Sequence, residues 1–349
     1  MSTTVAGAGS TGPTTPGVPD AEPVVAERPS GLERLRTAVA RSAPIFAVLA
    51  VLLVWIAIEN PNFAEPPGFL AFLKRAAPLA VLAAGQYFVI VSGEFDLSVG
   101  SLVTATVVVA AEVLAEWPDA TLAAIAVVLA GGALVGVVNG LVTTRLRVPS
   151  FIATLGMLLV LDGAVFYWTD GAPKGSLSEG FRTLGRGGLE GVPWLDQLPW
   201  SVVVLVAVGV ASVLLMRADL GKRFMAVGDN DRAADLSGVP VARARTIAFV
   251  LSGMAAALAG ILLGGFAGVS AQVGDGLEFQ AITAVVLGGV VLGGGRGSVV
   301  AAIAGALTLE ALFTLLNLLG VSGAWEATVE GLIIIAAVAF AAFRLRADR

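Results

Sequence analysis

The chain has no cysteine and no histidine among its 349 residues. These absences exclude disulfides, thiol nucleophiles, zinc sites built from thiolates or imidazoles, and imidazole acid–base catalysis. Charge is also scarce, because only 13% of the residues are Asp, Glu, Lys or Arg. The composition therefore argues against an enzyme.

A nucleotide-binding loop is missing as well, since no G-x-x-x-x-G-K-[ST] pattern occurs. The glycine-rich run that most resembles one has no flanking strand and no lysine, and it sits between two apolar segments. We predict instead a tight cytoplasmic turn with one basic anchor, and no cofactor bound by this chain. The residues of this turn are Gly294, Gly295, Arg296, Gly297 and Ser298.

Apolar residues dominate what remains: 57% of the chain is hydrophobic, with 43 glycines and a mean hydropathy of +0.89. Small residues let membrane helices approach one another closely. Apolar runs long enough to cross about 30 Å of hydrocarbon lie at 43–59, 98–116, 120–143, 150–169, 199–216, 246–266, 297–318 and 325–343. Two less regular runs, 76–92 and 278–293, are either spans or broken, partly re-entrant segments.

The predicted fold class is an all-α polytopic membrane protein with about ten transmembrane helices, or eight if neither irregular run crosses. With both termini cytoplasmic, sixteen of the 21 Lys and Arg residues lie on the inner side, as the positive-inside rule requires. Residues 1–40, rich in Pro, Gly, Ser, Thr and Ala, are predicted to be a disordered cytoplasmic tail without a cleavable signal peptide. Residues 41–345 form the transmembrane domain, and 346–349 form a short C-terminal tail.

The inner loop 217–245 carries six of the basic residues. Asp229 and Asn230 are N-cap candidates for a helix of about two turns, Gly238 is its C′ glycine, and Pro240 prevents its continuation. Such a helix is too short to be stable alone. It must contact either its own bundle or a partner protein, and the sequence leaves both open.

Acidic residues between apolar runs are costly and therefore suggest function. Asp96 and Ser98 either cap the following helix or line a translocation path, together with Gly100. Asp162 lies in the middle of a predicted span, and Asn139 is a candidate for a hydrogen bond between helices. Gly132, Gly136 and Gly140 share one helix face, which indicates tight helix packing.

Four ordered patterns resemble the signatures of the ribose/xylose/galactose permease family of ABC importers. They cover nearly the whole chain outside the N-terminal tail. They are Gly93-x-x-Asp96-Leu97-Ser98-Val99-Gly100-Ser101, Pro149-x-Phe151-Ile152-x-Thr154-Leu155-Gly156, Gly228-x-Asn230-x-x-Ala233-Ala234-x-Leu236-Ser237-Gly238, and Leu287-Gly288-Gly289 with Gly294-Gly295-Arg296-Gly297-Ser298.

The resemblance implies a multi-pass protein of the bacterial plasma membrane that forms a homo- or heterodimer in the lipid bilayer. A cytoplasmic ABC ATPase would hydrolyse ATP, an extracytoplasmic sugar-binding protein would deliver a monosaccharide, and no nucleic acid would be involved. The residues implied to contact the ATPase are Asp229, Asn230, Arg232, Ala233, Ala234, Leu236, Ser237 and Gly238. The sequence departs from the family pattern at Glu94-Phe95 and at Asp162.

Two alternatives stay open. One keeps the ABC permease and changes its cargo to a nucleoside, a branched-chain amino acid or an autoinducer-like sugar. The other is a proton-coupled secondary transporter in which Asp96 or Asp162 titrates. The four ordered patterns favour the ABC permease.

Overall fold

The computed structural model describes residues 31–172, 175–193, 195, 197–321 and the isolated positions 2–4, 7, 325, 328–329, 331–333 and 335. For residues 31–42 it describes the backbone alone. The chain divides into two units, Met1–Ala38 and Val39–Arg349, and the contacts described below lie within the second. The predicted tails and the predicted span 325–343 lie wholly or largely outside the described residues.

Twelve helices account for almost all of the described chain. They are α1 (Gly31–Glu59), α2 (Pro66–Val91), α3 (Val99–Glu116), α4 (Thr121–Thr144), α5 (Ser150–Thr169), α6 (Glu179–Arg186), α7 (Trp200–Arg217), α8 (Asp219–Asp229), α9 (Asp231–Leu236), α10 (Val241–Ala267), α11 (Leu277–Leu287) and α12 (Val299–Leu318). A short 3-10 turn, Pro61–Ala64, precedes α2.

Seven of these helices are long and apolar enough to cross a membrane: α2, α3, α4, α5, α7, α10 and α12. The irregular run 76–92 is thus part of a full-length helix of 26 residues. The run 278–293 differs, because α11 has only 11 residues and rises about 16 Å, half of the roughly 30 Å that a span requires. Glycines end α11 before it could cross.

The expectation of an all-α chain is wrong in the segment 170–199. Gly188–Glu190 (β1) pairs antiparallel with Gln197–Pro199 (β2) in a two-stranded hairpin. This hairpin follows α6, whose Phe181 is fully buried. Ser178 caps α6 by accepting a hydrogen bond from the Phe181 N–H at 3.3 Å. Within this segment, α6 therefore packs onto α10 and α7.

The centre of the bundle consists of α2 and α10. Every residue of α2 from Ala76 to Val91 is buried, because α10, α7, α11 and α12 surround it. On another side α10 packs along the length of α4. Ser252 and Arg245, two polar residues described below, belong to α10.

Glycines on one face of α4 make its contact with α10 possible. A Cβ atom on Gly132 would overlap the carbonyl oxygen of Gly253, and one on Gly136 would overlap the carbonyl oxygen of Phe249. A Cβ on Gly140 would lie 2.7 Å from the Cα atom of Thr246. The predicted tight packing is confirmed.

We expect Gly132→Ala to destabilise the bundle by about 1–3 kcal/mol, because the added methyl group forces two backbones apart. Gly131 provides a matched control on the same helix, since a Cβ there meets no atom within 4 Å. Thermal unfolding of the detergent-purified variants should show a lower transition temperature for Gly132→Ala alone. Equal transition temperatures for the two variants would contradict the α4–α10 contact.

Candidate functional site

The short helix in the inner loop forms as predicted. Asn230 is its N-cap, and the Asn230 Oδ1 atom accepts a hydrogen bond from the Ala233 N–H at 2.9 Å. Gly238 follows its C-terminus with φ +81°, and its N–H donates to the carbonyl of Asp235 at 2.9 Å. Asp229 is the last residue of α8, so only Asn230 fulfils the predicted cap.

One side of α9 contacts the bundle, and the rest of its surface is exposed. Ala234 is 5% exposed and belongs to the main apolar core, whereas Leu236 is 85% exposed. Arg232, Ala233 and Ser237 are exposed as well. Ala234 thus fixes α9 on its own bundle, while a face that includes a large apolar side chain stays available to a partner.

A buried carboxylate lies in the break between α2 and α3. Asp96 is 1% exposed. Its Oδ1 atom accepts hydrogen bonds from the Ser98 N–H at 3.0 Å and the Ser98 hydroxyl at 2.7 Å. Its Oδ2 atom accepts one from the Ser252 hydroxyl of α10 at 2.9 Å. The bond to Ser252 attaches the break to α10.

The network continues into α4. The Asn139 Nδ2 atom donates to the Ser98 hydroxyl at 2.9 Å, which confirms Asn139 as an interhelical hydrogen-bond donor. Ser98 occupies the N-cap position of α3, but its side chain makes no capping bond. The helix-cap interpretation of Ser98 is therefore wrong, because Asp96 and Asn139 engage its hydroxyl instead.

The second sequence pattern secures the same break. The Phe95 N–H donates to the Ser150 hydroxyl at 3.1 Å, and the Leu97 N–H donates to the Thr154 hydroxyl at 3.0 Å. Both hydroxyls lie within the first five residues of α5. Segments about 55 residues apart in sequence thus satisfy backbone donors that no helix serves.

The last pattern forms a tight turn, as predicted. The Val291 N–H donates to the carbonyl of Arg296 at 3.1 Å. The guanidinium of Arg296 lies 4.0 Å from the Asp229 carboxylate, and both side chains are largely exposed. An exposed pair at this distance contributes little stability, so the glycines must hold the turn in place.

Three glycine-containing segments meet at this turn. The Gly295 N–H donates to the carbonyl of Val91, at the end of α2, at 2.8 Å. A Cβ on Gly294 would lie 2.7 Å from the Gly228 Cα atom and 2.8 Å from the Gly93 nitrogen. No side chain larger than hydrogen fits there. The α2–α3 break, the end of α8 and the 294–298 turn thus form one junction.

Arg245, near the start of α10, crosses this junction and was not predicted as a site residue. Its Nε atom lies 2.9 Å from Glu94 Oε1, and its Nη2 atom lies 3.3 Å from Asp231 Oδ2. Glu94, which departs from the family pattern, therefore has a specific partner. An unusual acid beside a motif and a basic residue 151 positions later were the only sequence signals for this pair.

Asp162 belongs to a different group of acids. Its carboxylate in α5 is close enough to Asp275 and Glu278 for mutual repulsion. Glu278, in the first turn of α11, lies against Gly100, where a Cβ would overlap its carboxylate. Asp162 and Gly100 take part in none of the side-chain hydrogen bonds described above for Asp96. Glu278 was missed because it opens an irregular apolar run.

Outside the junction, Asp219 forms an ion pair with Lys222, whose Nζ atom lies 2.8 Å from its Oδ1 atom. The hydrogen bond and the charge of Lys222 lower the pKa of the Asp219 carboxyl. Among the described residues, no three His, Cys, Asp or Glu side chains are grouped so that they could hold a metal ion.

These observations define a class: a multi-pass helical membrane protein whose loop 217–245 presents a capped helix next to a glycine junction. Residues 68–338 match the family described as branched-chain amino acid transport system / permease component. The chain belongs to this family.

Curated relatives are similar over most of their length. The ribose import permease protein RbsC of Bacillus subtilis (strain 168) is 37% identical over 296 residues, covering 84% of this chain and 90% of the relative. The L-arabinose transport system permease protein AraH of Escherichia coli (strain K12) is 35% identical over 309 residues, covering 87% and 92%. The autoinducer 2 import system permease protein LsrC of Klebsiella pneumoniae is 37% identical over 291 residues, covering 83% of each. No solved structure gives a significant match.

Proposed function

We propose that this chain is the membrane-spanning subunit of an ATP-driven importer and forms the path for a monosaccharide. The observation that carries the proposal is α9, a capped helix that begins two residues after Asp229 of the glycine junction, is anchored by Ala234 and exposes Leu236. A cytoplasmic ATPase that grips this helix would move the break between α2 and α3. The names of the relatives, which include ribose and arabinose permeases, favour a sugar over the other cargoes.

The proposed topology has both termini in the cytoplasm and ten membrane segments. The seven long helices, α1 and the run 325–343 would give nine crossings, and the broken segment 278–293, in which α11 is the helical part, would complete the tenth. This arrangement places α8, α9 and the 294–298 turn on the cytoplasmic side, where an ATPase would reach them. The distribution of Lys and Arg supports this orientation.

The proposed division of labour assigns no cofactor to this chain. Two copies of it, or one copy and a paralogue, would form the path within residues 41–345. ATP would be bound and hydrolysed by two cytoplasmic subunits that contact the loop 217–245. An extracytoplasmic binding protein would deliver the sugar at the opposite face, where α6 and the hairpin are located. The location would be the bacterial plasma membrane.

Within the path, we assign different tasks to the two acidic groups. Asp96 is buried and accepts three hydrogen bonds, which suits a residue that positions the break. Asp162 is exposed and interacts electrostatically with two other carboxylates, which suits contact with the hydroxyl groups of a passing sugar. Gly100 leaves room for the Glu278 carboxylate.

Reconstitution tests the proposal. The ATPase and binding protein that co-purify with the chain would be placed with it in vesicles, after a ligand screen on the binding protein identifies the cargo. We expect uptake that requires ATP and all three components. A pH gradient that drives uptake without the ATPase would instead support the proton-coupled alternative.

A further inference from the structure

Arg245 connects the α2–α3 break with α9. Its Nε atom lies 2.9 Å from the Glu94 carboxylate and donates to the carbonyl of Ser92 at 3.4 Å. Its Nη2 atom lies 3.3 Å from the carboxylate of Asp231, the first residue of α9. One planar guanidinium thus engages the α2–α3 break with one edge and the short inner helix with another.

The two arms of this connection differ in strength. The side chains of Arg245 and Glu94 are 20% and 13% exposed, whereas that of Asp231 is 55% exposed. Burial weakens solvent screening, so the arm to Glu94 is the firmer one. It is reinforced at the C-terminus of α2, where a positive charge is favourable beside the free carbonyls. The ion pair with Asp231 is therefore the one that a movement of α9 would strengthen or break.

The firm arm ends next to the buried network. Glu94 and Asp96 are separated by one residue, Phe95, whose N–H is held by Ser150 at the start of α5. A displacement of Glu94 must therefore move the loop that carries Asp96, or break its hydrogen bonds to Ser98 and Ser252. No other ion pair among the described residues joins α9 to this loop.

We propose that Arg245 is a positioning residue that transmits movement of α9 to the α2–α3 break through Asp231 and Glu94. The inference rests on the proposed function, because α9 moves only if an ATPase grips it. It assigns Glu94, the residue that departs from the family pattern, a role in coupling rather than in recognition of the cargo.

The test measures coupling rather than activity alone. Asp231→Asn, Arg245→Gln and the double variant would be reconstituted with the ATPase and binding protein, and the number of cargo molecules imported per ATP hydrolysed would be determined. We expect each single variant to lower this ratio about fivefold while the ATPase still co-purifies, since coupling energies of this order are usual between linked sites. The double variant should be no worse than Arg245→Gln, because the residues act in one chain of contacts.

Arg145→Gln is the matched control, since it removes the same charge from an exposed position at the end of α4. If Arg245→Gln does not assemble, the same comparison of two single variants with their double variant is made with Asp231→Asn and Glu94→Gln. Wild-type ratios in the single variants, or losses that add in the double variant, would overturn the inference. If the unmodified protein shows no ATP-driven uptake, it is the proposed function that fails.

Discussion

Replacing Asp96 with alanine is expected to abolish ATP-driven uptake. The substitution removes the acceptor for the Ser98 N–H, the Ser98 hydroxyl and the Ser252 hydroxyl at once. Each buried donor left without a partner costs about 1–3 kcal/mol, and all three belong to the site where the α2–α3 break is attached to α10. The break should lose its defined position even if the long helices still assemble.

Two further substitutions of Asp96 separate the contribution of its bonds to Ser98 from that of its bond to Ser252. Asn keeps the Oδ1 atom for Ser98, and its amide can donate to the Ser252 hydroxyl, which accepts as well as donates. We therefore expect Asp96→Asn to retain assembly and measurable uptake. Serine can accept from a nearby backbone N–H, but it is too short to reach both Ser98 and Ser252. Asp96→Ser should therefore resemble Asp96→Ala.

The measurement is uptake per amount of reconstituted permease, with size-exclusion chromatography as the check on assembly. Asp119→Ala, in the exposed loop between α3 and α4, is a control that removes an acid outside the network. Full uptake by Asp96→Ser would mean that Asp96 serves only the start of α3. Full uptake by Asp96→Ala would mean that the network is not required.

Local chemistry explains what the sequence could predict. The cap by Asn230 and the C′ role of Gly238 depend on residues within one short segment, so their pattern sufficed. The position of Gly132, Gly136 and Gly140 on one face of α4 follows from helical periodicity alone. Most long apolar runs became helices of nearly the predicted bounds, because in a membrane every backbone group must be satisfied within its own segment.

Features that depend on distant partners could not be predicted. Ser252 lies 156 positions from Asp96, and no periodic pattern connects them. The hairpin Gly188–Glu190 with Gln197–Pro199 has strands of only three residues, too short for an alternating pattern to show. The end of α11 is set by glycines that must meet α12, since a Cβ on Gly288 would overlap the carbonyl of Ala301. The motifs showed which segments matter, but only the fold shows that they meet.

The last prediction concerns the exposed face of α9. Leu236→Asp, and independently Ala233→Glu, should uncouple ATP hydrolysis from uptake and leave the permease inserted. Both positions are exposed, so the bundle should lose nothing, whereas a charge would have to be buried against the ATPase. A residue at the centre of an interface contributes about 2 kcal/mol or more, which is about thirtyfold in affinity.

Co-purification of the ATPase, its hydrolysis rate and vesicle uptake would be measured together for these variants. Leu146→Asp is the matched control, because Leu146 is 69% exposed in the loop after α4 and receives the same charge. ATPase binding and uptake equal to wild type in both α9 variants would show that this face is not the docking surface. The exposed leucine would then need another partner, whereas loss in the α9 variants alone would place the ATPase on Ala233 and Leu236. Ala234 would in that case hold α9 on the bundle from the opposite side, so that a pull on the helix reaches the glycine junction.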